Sequence, residues 1–255
     1  MLTEKRILPS ATVDDIDYGA VRAILRAQGL DTEREPQPAR EDDLRNASIV
    51  DELDGVLRPT LYGALVFGRD PQAYAHTLSL FVQCTAYGGL DQGAEVLSAG
   101  EGKGRLQDQV QRAMGWFRSL GRQEIYEGIR RRDVPPVPEP ALREALDNAV
   151  IHRDYAITGS QVLLEVFDDR IEVTSPGALP NHVTVDQARK GGAPRSRNEM
   201  MANAMVVSGL IERRGRGWLT MRRVMRRFNG TEPELVGDER NRFVRVSFER
   251  GIRGA

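Results

Sequence analysis

Four prolines stand close together in the middle of this 255-residue chain, where residues 133–140 read Asp-Val-Pro-Pro-Val-Pro-Glu-Pro. Proline lacks a backbone donor and clashes with the preceding helical turn, so this segment forms neither a helix interior nor a central strand. We interpret it as an extended connector. It separates a predicted N-terminal α+β domain, residues 1–132, from a second predicted domain, residues 141–250, in a chain long enough to bury a substantial core.

The hydrophobic pattern before the connector indicates a small α+β unit. Residues 31–41 are polar and contain proline, so we expect a loop there. The elements predicted for this part are helices near 14–28, 40–53 and 104–120, and strands near 60–67 and 76–87.

After the connector the pattern changes to helices combined with a hairpin. Asp168 and Asp169 form a turn between two runs that are rich in β-forming residues. The predicted elements are a helix from 140 to about 153, strands at 161–167, 170–174 and 243–248, a loop at 181–197, and helices at 198–209 and 218–228. Helices against one side of a hairpin-built sheet make a two-layer α+β sandwich.

Charge and composition limit the class of protein. The net charge of −1 gives no global attraction to nucleic acid or to an anionic membrane. No apolar run approaches the roughly 20 residues of a membrane span, and the N-terminus lacks a signal-peptide pattern. The single cysteine, Cys84, excludes a disulfide framework and lies in an apolar run typical of a buried structural thiol. We therefore expect a cytoplasmic protein.

Glu144, Asn148 and His152 are the main candidates for chemistry. They are four residues apart on the predicted helix after the connector, so they line one of its edges. A carboxylate can take a proton from water, and an amide oxygen is a hard ligand suited to Mg²⁺. The alternative is a polar edge with a local hydrogen bond, which is common on helices.

Glycines mark further candidate sites. Gly215 and Gly217 come directly before a predicted helix, where backbone N–H groups could bind phosphate; the alternative is a turn between helices. Residues 99–104 read Ala-Gly-Glu-Gly-Lys-Gly but lack the ending of a phosphate loop, so we interpret them as a mobile entry to the next helix. Gly177 permits a sharp turn at a strand end.

Arginines concentrate between residues 213 and 227. They could hold nucleic acid, and the alternative is a face that is solvated or paired with acids. The residues that we expect to contact DNA are Arg213, Arg214, Arg222 and Arg226. The histidines have no partners at the spacing of a zinc site.

In their order along the chain, these features resemble the Bergerat fold of the GHKL ATPases, which include gyrase, the histidine kinases and the mismatch-repair ATPases. More specifically, the chain is similar to prokaryotic RecG-like transcriptional regulators that carry an ATPase domain at the C-terminus. Glu199 stands where that branch has a proline, within a resemblance that covers residues 14–249. The segments that carry it are 61–72, 144–155, 167–173, 175–180, 196–198 and 209–217.

The resemblance implies a site for ATP and Mg²⁺. The residue at Glu144 would activate the attacking water, and the one at Asn148 would hold Mg²⁺ against the phosphates. Gly215 and Gly217 would offer backbone N–H groups to the phosphates, and residues 181–197 would form a lid. The other residues expected at the nucleotide are His152, Ser175, Gly177 and Arg197.

Two departures from the family pattern bear on function. Thr174 or Ser175 occupies the region of the aspartate that accepts the adenine amino hydrogen, and a neutral hydroxyl accepts a weaker hydrogen bond. The branch also commonly carries an N-terminal Schlafen/AlbA-type domain, thought to bind nucleic acid, which we do not expect in this chain.

Three functions follow as hypotheses. The first is a transcriptional regulator that binds Mg-ATP and hydrolyses it slowly. The second is a scaffold that keeps the fold and binds DNA or a protein without nucleotide. The third is a homodimer whose contacts change when nucleotide closes the lid.

Overall fold

The structure is a computed structural model that describes residues 3–27, 41–121, 123–127, 130–179, 183–191, 196–209 and 216–251, with the backbone alone at 123–127 and 130–134. Its helices are α1 (Tyr18–Ala27), α2 (Glu41–Asn46), α3 (Leu61–Phe67), α4 (Leu106–Ser119), α5 (Glu139–Ile151), α6 (Val185–Lys190), α7 (Glu199–Val207) and α8 (Gly217–Phe228). Its strands are β1 (Val50–Leu53), β2 (Val56–Pro59), β3 (Val82–Tyr87), β4 (Val96–Gly102), β5 (Gln123–Glu127), β6 (Arg130–Val134), β7 (Val162–Val166), β8 (Arg170–Pro176), β9 (Glu234–Asp238) and β10 (Phe243–Glu249).

Six strands form one mixed sheet in the order β4-β3-β7-β8-β10-β9. β3 and β7 run parallel, and every other neighbouring pair in this sheet runs antiparallel. β3 comes from before the connector and β7 from after it, so the hydrogen bonding of the sheet extends across the predicted domain boundary. The division into residues 1–132 and 141–250 stays a prediction from the sequence.

Three helices cover one face of the sheet. α4 lies over β3 and β4, α5 lies over β7 and β8, and α8 packs beside α5. Alternate residues of β7 and β8 are apolar and buried, as the two-residue period of a strand requires. These residues are Val162, Leu164, Val166, Ile171 and Val173. The predicted α+β class, with helices layered on a hairpin-built sheet, is confirmed.

The predicted strand at 60–67 is wrong, because these residues form helix α3 after a cap at Thr60. The Thr60 hydroxyl accepts a hydrogen bond from the Gly63 amide at 2.9 Å. Every residue of α3 is buried, so the segment is apolar on all sides and shows no helical stripe. A short apolar run of this kind cannot be assigned by periodicity.

The predicted helix at 40–53 is also too long. α2 ends at Asn46, and β1 and β2 form a hairpin after it. Asp54 and Gly55 both have positive φ, of 53° and 77°, which is the backbone of a tight hairpin turn. An Asp-Gly pair is a strong local signal for such a turn, and it places the hairpin in this segment.

The glycines at 99–104 lie in and just after an edge strand rather than in a mobile loop. A Cβ at Gly100 would approach Trp116 Cδ1 to 2.5 Å, and a Cβ at Gly102 would approach the Gln109 carbonyl oxygen to 2.6 Å. Both neighbours belong to α4. These two glycines therefore let α4 lie close on β4, which explains the run without any phosphate.

Other elements were also not predicted from the sequence, among them β4, β5, β6, α6 and β9. β6 reaches Val134, inside the predicted connector, and the prolines at 135–138 follow it before α5 begins. α6 lies within the predicted loop at 181–197, and β9 pairs with β10 at the sheet edge. Among the helices in the described ranges, none is long and apolar enough to cross a membrane.

Candidate functional site

The candidate site begins with a side-chain pair on α5. The Asn148 amide donates from Nδ2 to Glu144 Oε1 at 3.0 Å, and both residues are half-buried. The bond joins residues one helical turn apart. It fixes the amide so that Asn148 Oδ1, the atom able to bind a metal, faces away from the bonded carboxylate oxygen.

Gly217, the first residue of α8, lies directly against this pair. A Cβ at Gly217 would stand 2.0 Å from Glu144 Oε1 and 3.1 Å from Asn148 Nδ2. Only glycine allows so close an approach. The preceding residue, Arg216, gives α8 no side-chain cap. The Glu144 carboxylate thus lies at the positively polarised end of a helix, a place that favours an anion.

Asp147 is a further acid on α5, beside Glu144, that sequence reasoning missed. Its side chain is buried, with 4% exposure. Burial, and then the nearby negative charge of Glu144, raise the pKa of Asp147 to about 7. Its position beside Asn148 in the motif was visible in the sequence, but its burial was not.

His152 ends α5, and its backbone amide donates to the Asn148 carbonyl at 2.9 Å. Burial, and then the positive charge of Arg197, lower the pKa of His152 to about 4. The imidazole is therefore neutral at physiological pH. Its Nδ1 atom is buried and has no hydrogen-bond partner.

Asp154 organises the next part of the site. Its Oδ2 atom pairs with Arg197 at 3.1 Å and with Arg242 at 2.7 Å. Gly177 has a φ of +111°, and a Cβ there would lie 2.5 Å from the Cβ of Asp154. Gly177 and Arg197, expected at the nucleotide, are thus brought together by a carboxylate that the sequence did not single out.

Buried polar bonds tie the end of α5 to its surroundings. The Ser175 hydroxyl donates to the Ala149 carbonyl at 2.7 Å, so its hydrogen is already used inside the protein. The Asn198 amide donates to the carbonyls of Ile151 and Arg153, each at 2.8 Å. Arg153 is itself buried and donates to nearby carbonyl oxygens.

Of the four arginines predicted to contact DNA, the structure describes two, and both are paired with an acid. Arg222 donates to both carboxylate oxygens of Glu232, at 2.9 and 3.0 Å, and Arg226 pairs with the same carboxylate. Two of the four predicted arginines therefore share the single negative charge of Glu232. Arg213 and Arg214, like Gly215, lie outside the described residues.

The residues present fit one Mg²⁺ ion held partly by phosphate. Within the described ranges, no group of three His, Cys, Asp or Glu side chains could enclose a metal. Mg²⁺ needs only one or two protein oxygens when phosphates and water complete its shell, and Asn148 Oδ1 can supply one. Cys84 is buried, which raises the pKa of its thiol to about 12 and makes it inert.

Comparison with known proteins supports an ATPase-like domain in the C-terminal part of the chain. The model of one family, described as "Putative ATP-dependent DNA helicase recG C-terminal", matches residues 159–248. The match includes Ser175, Gly177, Arg197 and Gly217, but it begins after α5 and its Glu144–Asn148 pair. A search of curated proteins found no match.

The fold is similar to a solved structure, the DIP2311 protein from Corynebacterium diphtheriae. The TM-score is 0.67 at 19% sequence identity, and the similarity covers 99% of this chain. The chain spans 47% of the length of that protein. At this identity the likeness describes the fold alone.

Proposed function

We propose that this chain binds Mg-ATP between α5 and the amino end of α8 and hydrolyses it slowly, as part of a transcriptional regulator. The observation that carries the proposal is the approach of Gly217 to Glu144 and Asn148, with 2.0 Å between its hypothetical Cβ and Glu144 Oε1. It joins a helix end suited to phosphate with an acid and an amide suited to hydrolysis and metal binding.

The phosphates would bind at the amino end of α8. Arg216 gives the first backbone N–H groups of α8 no side-chain cap, and N–H groups at a helix start can bind an anion. The Glu144 carboxylate lies at this end in the structure. Since two anions repel in so small a space, binding of a triphosphate requires the Glu144 side chain to rotate away from Gly217.

After that rotation the two α5 residues would take different roles. Glu144 would accept a proton from the water that attacks the terminal phosphorus, as the bond to the leaving diphosphate breaks. Asn148 would hold Mg²⁺ through Oδ1, and the ion, when bound, would neutralise charge on the phosphates. His152, which is neutral, would add no charge beside the nucleotide.

Base recognition would differ from that of the family that the sequence resembles. Ser175 stands in the region of the adenine-binding aspartate, and its hydrogen is bonded to the Ala149 carbonyl. Its oxygen can still accept a hydrogen bond, although a weaker one than a carboxylate accepts. We therefore propose modest affinity and weak discrimination between ATP and GTP.

Thermal denaturation with and without Mg-ATP tests the proposal. A ligand that binds only the folded protein raises the melting temperature, and excess Mg-ATP should do so here. Gly217→Ala should abolish the shift, because its methyl group would occupy the space beside the first turn of α8 where the phosphates are proposed to bind. Gly115→Ala is the matched control, since a Cβ at Gly115 on α4 meets nothing within 4 Å. An unshifted wild-type melt with every nucleotide would refute nucleotide binding.

A nucleotide-independent scaffold is the second candidate, and one observation favours it. The Glu144 carboxylate already lies against the amino end of α8, where a phosphate would have to bind. In that case binding of DNA or protein would be unchanged by Mg-ATP, and Gly217→Ala would alter stability alone.

A further inference from the structure

We propose that the outward face of α8 binds the phosphate backbone of duplex DNA through Arg216, Arg223 and Arg227. This surface differs from the one that the sequence predicted, which included Arg222 and Arg226. It does not depend on nucleotide binding at α5.

The three arginines form a row along the helix. Positions 216, 220, 223 and 227 follow the spacing of three and four residues that puts side chains on one face. Arg216, Arg223 and Arg227 are all exposed. At a rise of 1.5 Å per residue the row extends about 16 Å, which is several phosphates along a DNA strand.

These three arginines differ from Arg222 and Arg226 in their ion pairs. Among the ion pairs of the described residues, none includes Arg216, Arg223 or Arg227, whereas Arg222 and Arg226 share Glu232. Residues 216–228 contain five arginines and no acid. Like charges one turn apart destabilise a helix, so an uncompensated row in a chain of net charge −1 indicates a polyanionic partner.

The side chains of this face favour duplex DNA over a single strand or an anionic membrane. Guanidinium groups bind phosphate oxygens in pairs, with better geometry than lysine. The aromatic Trp218 is buried and cannot stack on the bases of a single strand. The apolar side of α8, with Met221 and Met225, is buried in the core, and Leu219, at 42% exposure, is a single exposed apolar residue rather than an apolar face that could insert into a membrane.

Fluorescence anisotropy with a labelled short duplex, without nucleotide, tests the proposal. The wild-type protein should bind with an affinity that falls steeply with salt. The double change Arg223→Gln/Arg227→Gln should weaken binding about tenfold or more, and should lower the slope of log affinity against log salt by about two, one per lost phosphate contact. Thermal melts of each variant confirm that it is folded.

Arg222→Gln/Arg226→Gln is the matched control, because it removes the same charge from the same helix at positions whose guanidinium groups already bind Glu232. It should change the affinity less than about threefold. Glu232→Gln should instead strengthen binding several-fold, because it releases both arginines toward the DNA.

Four results would overturn the proposal: no salt-dependent binding by the wild type, equal losses in the two double variants, binding of a single strand as tight as of the duplex, or equal binding to phosphatidylserine vesicles. Because no nucleotide is present, none of these results bears on ATP binding, which the melting experiment tests separately.

Discussion

Glu4, close to the start of the chain, accepts a hydrogen bond from the backbone amide of Met201 at 3.3 Å. Its other carboxylate oxygen accepts one from the Met200 amide, also at 3.3 Å. These amides belong to the first turn of α7, whose N-cap residue, Asn198, turns its side chain toward the end of α5 instead. The chain start therefore caps the helix that follows the proposed lid.

Replacing this distant cap should destabilise the whole fold. Glu4→Ala leaves two amides without a partner in a buried setting, where Glu4 itself is 1% exposed. We expect a loss of about 1–2 kcal/mol in the free energy of unfolding, measured in urea. Glu95→Ala, which removes an exposed carboxylate, should change it by less than about 0.5 kcal/mol. Equal effects would contradict the capping role.

Asp147 should make stability depend on pH. Its pKa in the folded state is raised to about 7 from its ordinary value of 3.8, so the folded protein holds the proton more tightly than the unfolded chain. The stabilisation that this proton gives to the folded state is therefore fully present below pH about 4, falls as pH rises, and is lost above pH about 7. Asp147→Asn removes the ionisation. Between pH about 4 and pH about 7, the free energy of unfolding of the variant should rise relative to that of the wild type by roughly 2–4 kcal/mol.

Urea titrations at several pH values measure this difference. Asp14→Asn, at an exposed carboxylate on the surface, is the control and should show no comparable trend. A difference between Asp147→Asn and the wild type that stays constant with pH would mean that folding does not change the pKa of Asp147.

Local signals were enough to predict much of the fold. The helix predicted from 140 to about 153 corresponds to α5, because a proline in the first turn and regular apolar spacing are properties of the segment itself. The hairpin of β7 and β8 was predicted from its β-forming runs. α3 was missed since its conformation is decided by burial on every side. Burial of that kind depends on the rest of the molecule.

The candidate site shows the same limit. The spacing of Glu144 and Asn148 predicted that they share an edge of a helix, which α5 confirms. No local pattern indicates that Gly217 meets that edge, or that Asp154 binds Arg197 and Arg242. Such contacts join residues far apart in sequence, and only the packing of the helices and strands determines them.

Asp154 should matter far more for stability than the exposed Arg242. Its side chain is 13% exposed, while that of Arg242 is 59% exposed. Asp154→Asn removes the charge that both arginines share and should cost about 2–4 kcal/mol. Arg242→Ala leaves the Asp154–Arg197 pair intact and should cost less than about 1 kcal/mol. Chemical denaturation of both variants measures the contrast, and similar losses would show that Asp154 is not the centre of this cluster.

Glu144→Gln should separate nucleotide binding from hydrolysis. The substitution keeps the size of the side chain but removes the negative charge at the amino end of α8, where the phosphates are proposed to bind. Mg-ATP should therefore bind several-fold more tightly by calorimetry, while phosphate release falls to background because no base remains. Glu139→Gln, at the start of the same helix, provides the control, since the Glu139 carboxylate binds Arg118 at the surface. Weaker binding by Glu144→Gln would instead mean that the carboxylate holds the site together.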